Sequence, residues 1–202
     1  LLNLFQVETY ITSTLKEEKF QILAKELVGL TSRGFMQEET DELYQDVFNH
    51  IRGSDRLVIV RNGGNAIAFI CATLKSVNNG GSILYHLEGI IVDNEYQGSG
   101  LAFKLLSKEL RETNADLLGF HTQNSKMLQL GMKLADLNDR DAKRYATDIG
   151  TRNQCGIVDK SRYGESSLYG NMEMFEGIAI TSIDWQHGDA LICVGPVKQK
   201  MA

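Results

Sequence analysis

The stretch from residue 56 to residue 93 constrains the fold more than any other part of the chain. Three apolar, β-branched runs, at 56–61, 66–76 and 82–93, are separated by Asn62-Gly63-Gly64-Asn65 and Asn78-Asn79-Gly80-Gly81. Gly and Asn accept the positive φ of tight hairpin turns, so this pattern predicts an antiparallel meander of three strands. Consecutive hairpins of this kind do not fit the alternating strand-helix units of a dinucleotide fold.

The flanking segments read mainly as helices. Residues 4–11 have mixed β character, whereas Phe20, Leu23, Ala24 and Leu27 fall on one helical face. Leu43, Val47 and Ile51 recur every fourth residue behind the acidic stretch 38–42, whose negative charge suits a helix N-terminus. Beyond the meander, Phe103, Leu106 and Leu110 predict a third helix over 101–110, and 116–122 reads as a short strand. Asn124 is placed to cap a fourth helix, on which Met127, Leu130, Gly131 and Leu134 repeat the helical spacing. The polar stretch 136–170 is long for a structureless connection and is expected to contain a short helix, such as 140–149, or to form a mobile substrate-side loop. The chain returns to β character at 172–183 and 190–194, with a turn through Gln186-His187-Gly188 between them and a stop at Gly195-Pro196. Residues 1–202 contain no repeat or low-complexity linker, and a single domain is expected.

The segment Gln97-Gly98-Ser99-Gly100-Leu101-Ala102 joins the meander to the third helix. Glycine lets backbone approach a ligand there, and the free N–H groups of a helix start face an anion without any need for net positive charge. A plain strand-to-helix turn would use the same residues. A dinucleotide fingerprint requires glycine where Phe103 stands, and the Lys-Ser/Thr ending of a phosphate-binding P-loop is missing. The full run Ile90-Ile91-Val92-Asp93-Asn94-Glu95-Tyr96-Gln97-Gly98-Ser99-Gly100-Leu101-Ala102 resembles the signature of the GNAT acetyltransferase superfamily, with Gln97, Gly100 and Ala102 in its three defining places. Asn124-x-x-Met127-x-x-Leu130 is similar to a downstream helix start of that family, although Met127 replaces Ala and Gly131 stands where Tyr is usual.

The resemblance implies an α/β (α+β) fold with a mixed, mainly antiparallel sheet flanked by helices, and acyl transfer from coenzyme A. Gln97, Gly98, Ser99, Gly100, Leu101 and Ala102 would then hold the pyrophosphate of acetyl-CoA. The backbone of Ile90, Ile91 and Val92 would pair with the pantetheine and polarise the thioester carbonyl, and Asn124 would contact the cofactor chain. Transfer to a primary amine by direct attack needs a base. Glu88 is the first choice and His86 the second, both on one face of the strand before the cofactor segment; packing against neighbours is the alternative for each. The thiolate that leaves needs an acid, for which Tyr145, Tyr163 and Tyr169 are candidates in place of residue 131. Glu38, Glu39, Asp41, Glu42 and Asp46 would attract a cationic acceptor or simply form a solvated helix face. Lys104, Lys108 and Lys126 would meet the 3′-phosphate or remain solvent-facing.

Composition narrows the competitors. A net charge of −5 and the lack of a Lys/Arg block argue against a DNA partner and mildly against an RNA acceptor. Cys71, Cys155 and Cys193 are scattered and odd in number, which suits reduced thiols and no metal site, and Cys155 has no activating neighbour in the sequence. No apolar run approaches the roughly 18 residues a membrane helix needs, and no basic-apolar leader opens the chain, so a cytoplasmic location is expected. The expected acceptor is a small-molecule or peptide amine, and a homodimer is allowed for. A longer acyl chain, or a CoA-binding sensor or assembly module without catalysis, are the rival readings.

Overall fold

Gly63 and Gly64 have φ of 56° and 90°, the left-handed pair that matches hairpin twist. They join β2 (Arg56–Asn62) to β3 (Asn65–Val77), which pair antiparallel from Arg56↔Ala72 to Asn62↔Asn65. A second left-handed turn, at Asn78, Asn79 and Gly80, leads into β4 (Ser82–Val92). These elements come from a computed structural model that describes residues 2–151, 154–155, 158–160, 183–184 and 187–198. The described chain forms two compact units, Leu1–Leu74 with Leu87–Glu109 and Lys75–His86 with Leu110–Ala202, and β3 and β4 each run from one into the other.

In the first unit, β1 (Gln6–Ile11) pairs antiparallel with β2, giving the order β1-β2-β3-β4. Two helices, α1 (Glu17–Phe35) and α2 (Asp41–Gly53), close one apolar cluster with the strands. Phe20, Leu23, Ala24 and Leu27 of α1 meet Val47 and Ile51 of α2, Leu57 and Ile59 of β2, and Phe69 of β3. Each such large side chain contributes roughly 1.5–3 kcal/mol when fully removed from water. Thr40 caps α2 by accepting a hydrogen bond from the Leu43 amide at 3.1 Å, and Asp41 and Glu42 fill its acidic first turn.

The third helix, α3 (Leu101–Glu112), departs from the expected phase. Leu101, Leu105, Leu106 and Leu110 are buried, while Phe103 is 38% exposed. Leu101 and Leu105 open the buried stripe, and at 100° per residue Phe103 is turned well away from both. The helix is also tied to β2 by a two-pronged ion pair: Arg56 Nε donates to Glu109 Oε2 at 2.9 Å and its Nη2 to Oε1 at 3.3 Å, with Glu109 fully buried.

In the second unit the order is β4-β5-β8-β7-β6. The start of β4 pairs parallel with β5 (Leu117–Thr122) over Leu84↔Leu117, Tyr85↔Leu118 and His86↔Gly119, where that ladder ends. After α4 (Ser125–Leu134) and α5 (Asp139–Tyr145) come the two-residue strands β6 (Gln154–Cys155) and β7 (Val158–Asp159), and then β8 (Ala190–Pro196). Strand β8 is antiparallel to β5 and to β7, so the sheet is mixed and mainly antiparallel, as the sequence implied. The helix expected within 140–149 is present and shorter, and it is capped by Asn138, whose Oδ1 accepts from the Asp141 amide at 2.9 Å. Ala142, Tyr145, Ala146 and Ile149 cover Val77, Leu84, Leu117, Ile192 and Val194. Two-residue strands have no hydrophobic period, and neither β6 nor β7 was expected. The strand read over 172–183 lies outside the described residues except for Ile183.

Candidate active site

The candidate site begins where β4 ends. The Asp93 amide donates to Ile67 O at 2.9 Å. Its carboxylate accepts from Arg33 Nε at 2.7 Å and from the Glu95 amide at 3.2 Å. Gly34 of α1 lies so close to this strand end that a Cβ there would stand 2.8 Å from Ile91 Cγ2 and 3.0 Å from Val92 O. Gln97 completes the joint, its Nε2 donating to Gly34 O at 2.9 Å and to Val92 O at 3.1 Å. The Gln97 side chain, though exposed, thus holds the base of the loop. Arg33, Gly34 and Asp93 were not singled out in the sequence, because a contact such as Arg33 with Asp93 spans 60 positions and follows no local period.

Past Gln97 the backbone opens. Gly98 and Gly100 have φ of 75° and 81°, and a Cβ on either would meet nothing within 4 Å. Ser99 folds back, its Oγ donating to Tyr96 O at 2.6 Å. Gly100 O accepts from the Lys104 amide at 3.1 Å, which makes Gly100 the first residue of the α3 ladder. The amides of Gly100, Leu101, Ala102 and Phe103 therefore have no acceptor within the helix. Free amides at a helix start, beside two glycines that present no side chain, form a cradle for an anion. The buried Leu101 side chain anchors this turn from below.

On β4, Glu88 is half-buried and its Oε1 accepts from Thr73 Oγ1 at 2.8 Å. Ile91 belongs to the apolar cluster, while Ile90 and Val92 are half-buried. Glu88, Ile90, Ile91, Val92 and the whole run from Gln97 to Ala102 lie in the first unit, whereas His86 and Asn124 lie in the second. His86 is 2% exposed, with its ring centroid 5.2 Å from that of His121. Asn124 caps α4, its Oδ1 accepting from the Lys126 amide at 2.8 Å.

The acid candidates separate as well. A Cβ on Gly131 would run into the Phe120 ring, so no larger side chain fits there without repacking. Tyr145 is buried and its hydroxyl donates to Asn78 Oδ1 at 2.7 Å; Tyr163 and Tyr169 lie outside the described residues. Burial, with the Glu88 and Asp46 carboxylates next, pushes the Cys71 thiol far up, and burial does the same for Cys193, so neither is a ready nucleophile. Glu38, Glu39, Asp41 and Glu42 are exposed, as is Lys104. Among the described residues no group of three or more His, Cys, Asp or Glu is placed to hold a metal ion, and no helix is long and apolar enough to cross a membrane.

No curated protein sequence matches the chain. Among solved structures, an IAA acetyltransferase from Bacillus cereus ATCC 14579 is similar at 12% identity and a TM-score of 0.49, over 95% of this chain and 99% of that one. A GNAT family N-acetyltransferase from Escherichia coli in complex with CoA is similar at 15% identity and a TM-score of 0.46, over 68% and 70%. A protein from Enterococcus faecalis V583, described as a probable N-acyltransferase, is similar at 18% identity and a TM-score of 0.43; the match covers 62% of this chain and only 31% of that longer one. The model of the acetyltransferase (GNAT) family matches residues 21–125, more than half of the 202 residues, and the chain belongs to that family.

Proposed function

We propose that this protein transfers an acyl group, acetyl in the first instance, from a CoA thioester to a primary amine by direct attack. The observation that carries the reading is the open turn at Gly98 and Gly100, which lies between β4 and α3 and presents helix-start amides that have no acceptor within the helix. In this reading the backbone from Gly98 to Ala102 holds the pyrophosphate, with the amides of Gly100, Leu101 and Ala102 as donors. Backbone of Ile90, Ile91 and Val92 lies beyond the last β4–β5 pair, His86↔Gly119, and offers its amides to the pantetheine and the thioester oxygen. Glu88, oriented by Thr73, takes the proton of the attacking amine, and Asn124 contacts the cofactor chain while capping α4. The acceptor is a small-molecule or peptide amine.

Thermal unfolding with and without acetyl-CoA tests the cofactor. Acetyl-CoA at about 100 times its dissociation constant is expected to stabilise the protein by roughly 2.7 kcal/mol, and no shift at millimolar concentration rejects the assignment. A thiol-release assay across a panel of amines then tests the transfer. Glu88→Gln is expected to lower turnover about 100-fold at neutral pH while leaving the acetyl-CoA shift intact; an unchanged rate removes Glu88 as the base. A second reading, a CoA-binding module without catalysis, is favoured by the Phe120 ring occupying the space beside Gly131. It predicts the thermal shift without thiol release.

A further inference from the structure

The chain has two Asn-Gly steps, Asn62-Gly63 and Asn79-Gly80, and each lies in a turn between consecutive strands. Such a step is chemically weak, because glycine has no side chain to shield its amide nitrogen from the asparagine side-chain carbon just before it. Both asparagines are exposed, so exposure does not choose between them. The glycine amide does. Gly80 donates to Val77 O at 3.1 Å, and an attack by its nitrogen would break that bond. The Gly63 amide has no acceptor among the described residues, since the ladder closes at the pair Asn62↔Asn65 and leaves it outside. Asn62 also reaches the segment that leads into the Gln97 loop. Its Nδ2 donates to the Tyr96 hydroxyl at 2.9 Å, and Tyr96 O accepts from Ser99 Oγ at 2.6 Å and from the Ser99 amide at 3.4 Å. Asn62, Gly63, Tyr96 and Ser99 all belong to the first unit.

We propose that Asn62 is a site of spontaneous deamidation, and that the carboxylate it leaves weakens the hold of the neighbouring loop on an anion. The second half rests on the acyl-transfer reading, and the first does not. The Gly63 nitrogen forms a bond to Asn62 Cγ and gives its proton to solvent. The Cγ–Nδ2 bond breaks with both electrons on nitrogen, which takes a proton from water and leaves as ammonia. Water then opens the cyclic imide at either carbonyl, which yields aspartate or, with the backbone rerouted through the side chain, isoaspartate. Nδ2 donates to Tyr96 in the unmodified protein, whereas an ionised carboxylate only accepts, so the Tyr96 hydroxyl must turn and become the donor. The new charge stands beside a cation that is already committed: Arg61 donates to Glu8 Oε2 and Glu26 Oε2, each at 2.9 Å. Deamidation therefore adds uncompensated negative charge next to the residue from which Ser99 hangs.

The experiment holds the wild-type protein at mildly basic pH for weeks and follows its peptides by mass spectrometry. Asn62 is expected to convert several-fold faster than Asn79 in the folded protein, as a mixture of aspartate and isoaspartate. In urea the two steps are expected to convert at similar rates, because the difference comes from the folded turns. Equal rates in the folded protein, faster loss at Asn79, an intact Asn62, or a difference that persists in urea each overturn the assignment. Asn62→Asp supplies the product charge at once. It is expected to bind acetyl-CoA several-fold more weakly than the wild type, with the gap closing as salt is raised. Asn62→Ala loses the same hydrogen bond without gaining charge and is expected to bind nearly as the wild type does. An aspartate variant that binds like the wild type, or an alanine variant as weak as the aspartate, overturns the link to the loop. A wild-type protein with no thermal shift in acetyl-CoA rejects the CoA reading itself, and the masses then decide the deamidation alone.

Discussion

The turn at Gly63 and Gly64 and the turn at Gly98 and Gly100 share a chemistry and differ in outcome. Each holds two glycines at positive φ, and at all four a Cβ would meet nothing within 4 Å. In the hairpin, Asn62 and Asn65 close the ladder as a pair, and Gly64 O accepts from Arg61 Nη1 at 3.0 Å. In the second turn the chain passes from a strand to a helix, and the helix-start amides are left over. Glycine therefore marks where backbone can bend, and the element that follows decides whether its donors are consumed or offered. A third set of glycines does neither: Gly119, Gly131 and Gly195 are small because neighbours crowd them.

The largest expected effect separates crowded glycines from open ones. A Cβ on Gly195 would meet the backbone of Asp136 and Leu137, which cannot swing away. Gly195→Ala is expected to cost about 3 kcal/mol of stability, at the upper end of overpacking losses. Gly131→Ala is expected to cost about 1–2 kcal/mol because the Phe120 ring can shift, even though the same change in an open helix gains up to about 1 kcal/mol. Urea midpoints check both, and a stabilised Gly131→Ala would remove the packing explanation for the missing side chain.

The next effect tests the two open turns against each other. Gly64→Ala and Gly100→Ala each force an L-residue into left-handed backbone, at about 1–2 kcal/mol in unfolding free energy. They should be near equal in that measurement and part company in acetyl-CoA: Gly64→Ala keeps the thermal shift, and Gly100→Ala loses most of it. Equal shifts in the two variants would mean that the second turn is only a turn.

Much of this layout was legible in the sequence, for reasons that differ by element. The hairpins follow from Gly and Asn at fixed offsets, and α1, α2 and α4 from apolar residues at helical spacing. For α3 the same rule chose the wrong edge of the stripe, because Phe103 is apolar and correctly spaced from Leu106 and Leu110, yet it faces solvent. The loop was legible because its residues are consecutive. The joint that positions it was not, since Arg33, Gly34 and Asp93 meet only once α1 lies on the end of β4. The 2.8 Å contact between His121 Nδ1 and Asp159 Oδ2 was equally silent: their strands are not sequence neighbours, and β7 is too short to leave a pattern.

The smallest effect sharpens what Gln97 does. If its side chain is the staple between α1 and β4, Gln97→Ala removes two hydrogen bonds whose carbonyl acceptors can turn to water, a loss of about 1 kcal/mol or less. The torsions of Gly98 and Gly100 do not depend on that side chain, so acetyl-CoA should still stabilise Gln97→Ala, with affinity reduced only several-fold. Gln97→Glu sets a carboxylate against the same two carbonyls and beside the proposed phosphate site, so it should weaken acetyl-CoA binding more than the alanine does. Titration by calorimetry ranks the two variants. An alanine variant that binds as poorly as the glutamate would return the side chain to direct phosphate contact and leave the staple a secondary role.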